Sequence, residues 1–305
     1  MKRTKYVGPA AIVLIAWMAF ALTSTAGAEV VYPKLLIKAE VLAESLEAPN
    51  LRIVDCRRKV EDYQMGHIPG AVFLNVFGKL RTTSPSGVIG VRRMLEEQEE
   101  VFGRTLGITS ETMVVLYDDT GWDATRLFWE LSYAGHEKVA ILYGGWPEWQ
   151  KKGLPVSTET PGIKPQVFIS RPNPEILATT GYVLANLSNP KVALLDCRPP
   201  EQFVGTKKHP KAAVAGRIPG AVNVFTLTNW ENKTYLKPPD ELEEVFEDKG
   251  ITRDKIIVNY CNTGYLASNT YFVLKVLGYP NVKMYDFSWV EWSGKDYLPK
   301  TVQIK

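Results

Sequence analysis

The chain carries the same four short motifs twice, in the same order. They are LRIVDCR at residues 51–57 and VALLDCR at 192–198, GHIPGAV at 66–72 and GRIPGAV at 216–222, YDDTG at 117–121 and YCNTG at 260–264, and WPEW at 146–149 and WVEW at 289–292. Four matches in one order exclude chance, and a repeat unit this long indicates a duplicated domain rather than a solenoid. The duplication predicts two similar domains in tandem, which 305 residues are enough to form.

Each repeat alternates short apolar segments with amphipathic ones. The segments predict strands at residues 52–54, 72–75, 113–117, 139–142, 256–259 and 282–284, and helices at 91–102, 124–134, 146–151, 239–249 and 267–277. Alternating strands and helices form a mainly parallel sheet that is covered by helices on both faces. The predicted fold class is therefore α/β, with two tandem domains of this kind. Ligands are expected beyond the carboxyl ends of the strands.

Proline is concentrated between the two repeats. It occurs there at positions 155, 161, 165, 172 and 174. Because this proline content disfavours both helix and central strand, we expect an extended linker at residues 155–175. The first domain is then predicted at residues 29–154 and the second at residues 176–305.

Residues 1–28 have the pattern of a secretory signal peptide. Lys2, Arg3 and Lys5 precede an apolar stretch at residues 10–22, and the small residues that end at Ala28 fit a signal-peptidase site. The apolar stretch is shorter than the ~20 residues of a membrane span, although an uncleaved anchor is the alternative. We expect an exported protein, periplasmic if the cell is bacterial, with no membrane attachment after cleavage.

The overall composition excludes several classes of partner and cofactor. The net charge is +3, and the three basic residues of the leader account for it, so a nucleic-acid partner is not expected. The chain has 3 cysteines and 3 histidines, and none stands at metal-ligand spacing. We therefore expect no metal, no other cofactor and no disulfide scaffold, in a monomeric protein.

Cys261 is the strongest candidate for a reactive residue. It lies where an apolar strand passes through a short loop into a helix. The first N–H groups of a helix have no partner inside it, and together with the helix dipole they favour thiolate over thiol. Gly264 suits a tight loop that needs a positive φ. The same loop of the first repeat has Asp118 in place of the cysteine, so the first domain is expected to be structural.

These motifs together resemble the rhodanese family, specifically the sulfurtransferases that have two tandem domains. The resemblance covers residues from about Leu51 to Trp292. It implies an inactive first domain, a catalytic second domain and a cysteine that cycles through a persulfide. The small anionic sulfur donor would be thiosulfate or 3-mercaptopyruvate, and the acceptor would be a thiol or a cyanide-like nucleophile.

The resemblance and the loop chemistry also predict the residues around the donor. We expect Cys261 to be catalytic and the loop to contact the substrate through Asn262, Thr263, Gly264, Tyr265 and Leu266. Arg198 resembles the family's substrate-binding arginine, since a guanidinium fork suits an oxyanion; a salt bridge to a nearby acid is the alternative. Arg217 could also line the site, or be a solvated or capping arginine.

Cys56 and Cys197 occupy one equivalent position of the two repeats, at a strand end next to an aspartate. Neither precedes a glycine-containing loop and a helix, as a reactive cysteine should. We therefore predict two inert core cysteines.

Two other functions also use a cysteine or an anion site in such a loop. A cysteine phosphatase needs an arginine six residues after its cysteine, and this chain has Ala267 there, which argues against that class. A persulfide carrier or anion-binding module without efficient turnover stays open. The family resemblance implies basic loop residues for thiosulfate and small neutral ones for 3-mercaptopyruvate. The loop here is neutral, but Asn262 and Tyr265 are larger than the second type prefers. The donor therefore stays open, with thiosulfate placed first because exported sulfur enzymes meet inorganic donors.

Overall fold

The computed structural model describes residues 35–85 and 87–302, so the predicted leader lies outside the described residues. The strands are β1 Leu36–Ile37, β2 Leu51–Asp55, β3 Val72–Phe73, β4 Arg81–Thr83, β5 Ile89–Arg92, β6 Met113–Tyr117, β7 Val139–Leu142, β8 Val192–Asp196, β9 Val222–Asn223, β10 Ile256–Tyr260 and β11 Val282–Met284. The α-helices are α1 Ala39–Glu44, α2 Val60–Met65, α3 Val76–Leu80, α4 Leu95–Glu99, α5 Trp122–Tyr133, α6 Gly145–Lys151, α7 Thr180–Ala185, α8 Pro200–Phe203, α9 Pro239–Glu247, α10 Tyr265–Val276 and α11 Ser288–Ser293.

Each repeat folds around one parallel sheet. The strand order is β1-β7-β6-β2-β3 in the first sheet and β11-β10-β8-β9 in the second, and every pairing within them is parallel. Alternate residues of the central strand β6 enter different cores: Val114 and Leu116 face α5, whereas Val115 and Tyr117 face α1 and α6. Helices therefore cover both faces of the sheet, and the predicted α/β class is confirmed.

One predicted helix is wrong in part. The helix expected at residues 91–102 begins only at Leu95, because Ile89–Arg92 pairs antiparallel with Arg81–Thr83 as a small hairpin. It then continues as a π-helical segment over Glu100–Thr105. A two-stranded hairpin leaves little hydrophobic periodicity in a sequence, so the helical signal of the neighbouring residues concealed it.

The two domains share a hydrophobic core. Helices α5 and α10 occupy equivalent positions in the two repeats and pack against each other, with the rings of Phe128 and Phe272 5.0 Å apart. Side chains from both sheets belong to the same buried cluster. The carboxyl ends of β6 and β10, which lead into these helices, therefore lie near the domain interface.

The proline-rich segment runs along the surface of the first domain. Between residues 154 and 173 it has no helix or strand apart from an isolated bridge between Ser157 and His67. Phe168 anchors it against Phe102, with ring centroids 5.3 Å apart. No helix within the described ranges is both long and apolar enough to span a bilayer.

Candidate active site

Cys261 lies directly after β10 and four residues before α10 begins. Cys261 is 2% exposed. The neighbouring Tyr260 ends the strand beside Asp196 of β8. The sheet thus places the thiol at the carboxyl edge, where parallel sheets bind ligands.

The first domain shows what this loop binds. The carboxylate of Asp118 accepts four backbone N–H groups, from Thr120 at 3.1 Å, Gly121, Asp123 at 2.9 Å and Ala124 at 2.9 Å. A carboxylate that is 2% exposed needs such partners, because an unpaired buried charge is costly. Burial raises the pKa of Asp118 to about 6, so at pH 7 and above the loop is a cradle of amides that holds an anion.

The second domain has the same cradle around a sulfur. The amides of Thr263, Leu266 and Ala267 correspond to three of the four that bind Asp118, and no oxygen among the described residues accepts from them. The fourth amide, of Gly264, donates to Ser288 Oγ at 3.1 Å. The cradle thus retains three N–H groups that can stabilise a thiolate or a persulfide.

Gly264 is required by its backbone and by its surroundings. Its φ is +78°, and a Cβ there would lie 2.3 Å from Asp286 Oδ1 and 2.7 Å from the Asp286 carbonyl oxygen. Ser288, whose φ is +56°, replaces Gly145 of the first domain, whose φ is +57°. Its hydroxyl also accepts the Cys261 amide at 3.1 Å.

The thiol faces a cleft of about 570 Å³ between the two domains. The second domain lines it with Cys261, Asn262, Thr263, Tyr265, Leu266, Pro199, Gln202, His209 and Phe225, and the first domain with Arg58, Asn75, Phe77 and Trp122. Arg58 is the single Arg or Lys among these lining residues, and they include no Asp or Glu. Partial burial lowers the pKa of His209, so it adds no charge at neutral pH. The cleft therefore combines aromatic walls with one cation.

Tyr265 ties the cleft to the first domain. Its hydroxyl donates to Asp123, which also accepts from Arg58 Nε at 2.9 Å. The ring lies 6.0 Å from Phe77. Asn262 is held separately, because its amide Nδ2 donates to Gln202 Oε1 at 2.8 Å.

Arg198 does not line the cleft. Its Nε and Nη2 bind the Asp196 carboxylate, at 2.9 Å and 2.5 Å, and Nη2 also binds the Gly216 carbonyl oxygen at 2.8 Å. In the first domain, whose loop has no cysteine, Arg57 makes the same contacts with the Asp55 carboxylate and with the Gly66 carbonyl oxygen. The geometry therefore shows the salt bridge of the structural alternative, while the positive charge of Arg198 still acts electrostatically on Cys261 and on His209.

Arg217 also lies away from the cleft lining. Its guanidinium stacks over Phe203 at 4.5 Å and donates to the Phe203 carbonyl oxygen at 3.3 Å. Its backbone pairs with Thr301. These contacts fit the alternative of a capping arginine.

The other two cysteines are fully buried. Cys56 and Cys197 are each 0% exposed and unpaired. Burial raises the pKa of both thiols well above the usual value. Neither is a competing nucleophile at neutral pH.

Sequence reasoning did not find the first-domain side of the cleft. Arg58, Asn75 and Phe77 lie far from Cys261 in the chain, and only the fold brings them together. Trp122, the first residue of α5, lines the cleft as well. One signal was available: Trp122 and Tyr265 are equivalent residues of the two loops, so both had to lie close to the same interface.

The fold and the site define a class: an α/β protein of two like domains with one cysteine in an amide cradle at a strand-to-helix loop. The chain belongs to the rhodanese family, since the rhodanese-like domain matches residues 38–152 and 179–295. The sulfur carrier protein TtuD of Thermus thermophilus is 35% identical over 88% of this chain and 96% of the relative. The thiosulfate sulfurtransferase of Pseudomonas aeruginosa is 35% identical over 88% and 97%. The 3-mercaptopyruvate sulfurtransferase of Escherichia coli is 34% identical over 86% and 96%.

Solved structures agree with this membership. SseA from Escherichia coli, described as a 3-mercaptopyruvate sulfotransferase with the rhodanese fold, aligns with a TM-score of 0.75 and 31% identity over 84% of this chain and 99% of that one. An EanB variant in complex with ergothioneine aligns with a TM-score of 0.79 and 25% identity over 90% and 71%. The curated relatives that preserve both domains support a sulfurtransferase, and they include users of two different donors.

Proposed function

We propose that this protein moves a sulfane sulfur from a small anionic donor to a thiophilic acceptor through a persulfide on Cys261. The observation that carries the proposal is the Asp118 carboxylate in the first-domain cradle. It is an anion bound by the same amides that surround Cys261 in the second domain. A persulfide is an anion that ends close to the position of such a carboxylate.

Two displacement steps account for the transfer. The Cys261 thiolate attacks the transferable sulfur of the donor, a new S–S bond forms, and the donor's bond to that sulfur breaks with its electron pair leaving on the remainder of the donor. With thiosulfate the S–S bond breaks and sulfite leaves. With 3-mercaptopyruvate the C–S bond breaks, and the pyruvate enolate that leaves takes up the thiol proton. The acceptor then attacks the terminal sulfur of Cys261–S–S⁻, and Sγ leaves as thiolate. Electrons and charge balance in both steps, so the chemistry needs no cofactor. The loop amides of Thr263, Leu266 and Ala267 stabilise the negative charge throughout.

Thiosulfate is the first candidate for the donor and 3-mercaptopyruvate the second. Both are anions, and Arg58 is the cation in the cleft lining that can attract them. The neutral side chains of Asn262 and Thr263 do not add a second charge. Relatives named for each donor are almost equally similar to this chain. A kinetic comparison of thiosulfate and 3-mercaptopyruvate would therefore decide which donor is preferred.

A persulfide carrier is the second candidate function, because a relative with 35% identity is named a sulfur carrier protein. A carrier would accept sulfur from a donor and release it only to a specific partner. The two candidates differ in one measurement. An enzyme turns over many times with cyanide, whereas a carrier takes up one sulfur per chain and releases it poorly to cyanide.

We further propose an exported monomer whose leader is removed after Ala28, with the domains at residues 29–154 and 176–305. N-terminal sequencing of the exported protein would test the leader, with Glu29 as the expected first residue. Light scattering of the mature chain would test the monomer. An intact leader or a dimer would overturn the respective proposal.

Steady-state kinetics of the mature chain with both donors and cyanide is the decisive experiment. Mass spectrometry of donor-treated protein should find one added sulfur, on the Cys261 peptide. Turnover without any sulfur on that peptide would contradict the persulfide route. The Cys261→Ser variant should take up no sulfur.

A further inference from the structure

The loop that carries Cys261 is held from outside its own domain. Arg81, at the start of β4, donates from Nη2 to the carbonyl oxygen of Thr263. Arg126, on α5, donates from Nη1 to the carbonyl oxygen of Gly264 at 3.3 Å. Both arginines belong to the first domain, so two consecutive carbonyl groups of the cysteine loop are bound by cations across the interface.

Arg126 is fixed by buried carboxylates. Its side chain is 0% exposed, its Nε and Nη2 bind Glu130 at 2.8 Å and 2.5 Å, and its Nη1 binds Asp286 at 2.7 Å. The Arg126–Asp286 ion pair occupies the space that a Cβ on Gly264 would need. This guanidinium can hardly move without breaking two ion pairs.

Arg81 differs because, within the described residues, it forms no direct ion pair, although the charges of Asp286 and Glu130 act on it from a distance. It is 5% exposed, and its Nε and Nη1 have no hydrogen-bond partner within the described residues. It stacks over the ring of Tyr265 at 5.0 Å. Burial and the nearby Arg126 lower its pKa to about 10, so it is still a cation at neutral pH. Burial of an unpaired cation is costly, and its one hydrogen bond is to the loop.

The second domain holds the Asp118 loop of the first domain with an uncharged side chain. Asn269 on α10 is the equivalent of Arg126 on α5, and its Nδ2 donates to the Gly121 carbonyl oxygen at 3.0 Å. The loop with Asp118 is thus held by a neutral amide from the second domain. The loop with Cys261 is held by two guanidinium groups from the first.

We propose that Arg81 and Arg126 are positioning residues, which fix the loop backbone between two of the cradle amides, those of Thr263 and Leu266. A peptide group is planar, so their bonds to the carbonyl groups of Thr263 and Gly264 also fix the N–H groups of Gly264 and Tyr265, and with them the turn that directs the neighbouring cradle amides at the sulfur. The peptide between Thr263 and Gly264 is held at both ends, by Arg81 at the oxygen and by Ser288 at the nitrogen. The first domain, whose loop has Asp118 in place of a cysteine, then serves the reaction by ordering the cradle of the second. This inference rests on the proposed role of Cys261.

Arg81→Met tests the inference, because it removes an unpaired buried cation and leaves no carboxylate without a partner. We expect kcat to fall about 10-fold or more while the donor KM changes less than about twofold. Alkylation of Cys261 in the folded protein by iodoacetamide at pH 7 should slow by a similar factor. Arg81→Lys, which keeps a cation able to donate to the same carbonyl, should restore most of both rates.

Arg92→Met is the matched control. Arg92 lies on the adjacent strand β5, its side chain stacks on Tyr133 at 4.2 Å, and it makes no side-chain contact with the loop. It should keep wild-type rates. The inference fails if folded Arg81→Met, with a normal circular dichroism spectrum, retains wild-type kcat and alkylation, or if Arg92→Met loses as much. If the wild type turns over neither donor, the proposed function fails instead, and the alkylation rates still decide the role of Arg81.

Discussion

Asp118 and Cys261 lie at equivalent points of the two domains, and each makes the same backbone contact with the last helix of its repeat, α6 or α11. The Trp146 amide donates to the Asp118 carbonyl oxygen at 2.9 Å, and the Trp289 amide donates to the Cys261 carbonyl oxygen at 3.0 Å. The side chains differ: one is a carboxylate that fills its amide cradle, and the other is a thiol that leaves three amides open. One cradle is therefore occupied permanently, and the other can accept a transferred sulfur.

Cys261→Ser should reduce kcat by about 10³-fold or more, because a hydroxyl cannot carry the sulfane sulfur. Steady-state turnover of thiosulfate and cyanide measures it. Cys197→Ala is the control, since Cys197 is fully buried beside the same sheet, and it should keep most of kcat. Equal losses in the two variants would contradict the assignment of the nucleophile.

Asp118→Ala should destabilise the protein by about 2–4 kcal/mol, because it leaves four buried N–H groups without their acceptor. Urea denaturation followed by circular dichroism measures the free energy of unfolding. Asp119→Ala is the matched control, because Asp119 is exposed in the same loop and should cost no more than about 0.5 kcal/mol. An unchanged free energy of unfolding in Asp118→Ala would show that the amide cradle does not need a bound carboxylate.

Gly264→Ala should cost about 2–5 kcal/mol and abolish turnover, since a Cβ would collide with Asp286 at 2.3 Å in addition to the strain of a positive φ. Gly70→Ala separates the two effects. Its φ is +76°, but nothing lies within 4 Å of a Cβ there, so only the strain of about 1–2 kcal/mol applies. Thermal denaturation and kcat are compared, and equal costs at both sites would exclude the collision.

Arg198→Met should destabilise the protein by about 3–5 kcal/mol, because it leaves the buried Asp196 carboxylate unpaired. The same change at Arg57 breaks the equivalent pair with Asp55 and should cost a similar amount. The donor KM should not change in either variant. A rise in KM confined to Arg198→Met would restore its role as a donor contact.

Arg58→Gln should raise the KM for thiosulfate about five- to tenfold, because the cleft lining loses its cation and the buried Asp123 carboxylate, which also binds Tyr265, loses its partner. The effect should shrink as salt is added, since exposed charges are screened. Lys79→Gln, an exposed change on α3 outside the cleft lining, is the control. An unchanged KM in Arg58→Gln would remove this arginine from donor binding.

The order of elements could be predicted because strands and helices have different local periods. Val139–Leu142 and Val282–Met284 are strands at the predicted residues. The hairpin of Arg81–Thr83 with Ile89–Arg92 was missed, because its stability comes from contacts that a local pattern does not show. The prediction of Gly264 at a positive φ rested on local chain geometry, and its φ of +78° agrees with it.

The sequence by itself determined the duplication, the family, the single cysteine loop and the substitution of Asp118 for its sulfur. These features can be found from neighbouring residues and from a comparison of the two copies of the repeat. Only the tertiary structure decided that Arg198 is buried against Asp196, and that Arg58, Phe77, Arg81 and Arg126 of the first domain reach the site. The packing of α5 against α10 brings these residues to the loop, and contacts between residues more than 100 positions apart leave no periodic signal in either segment.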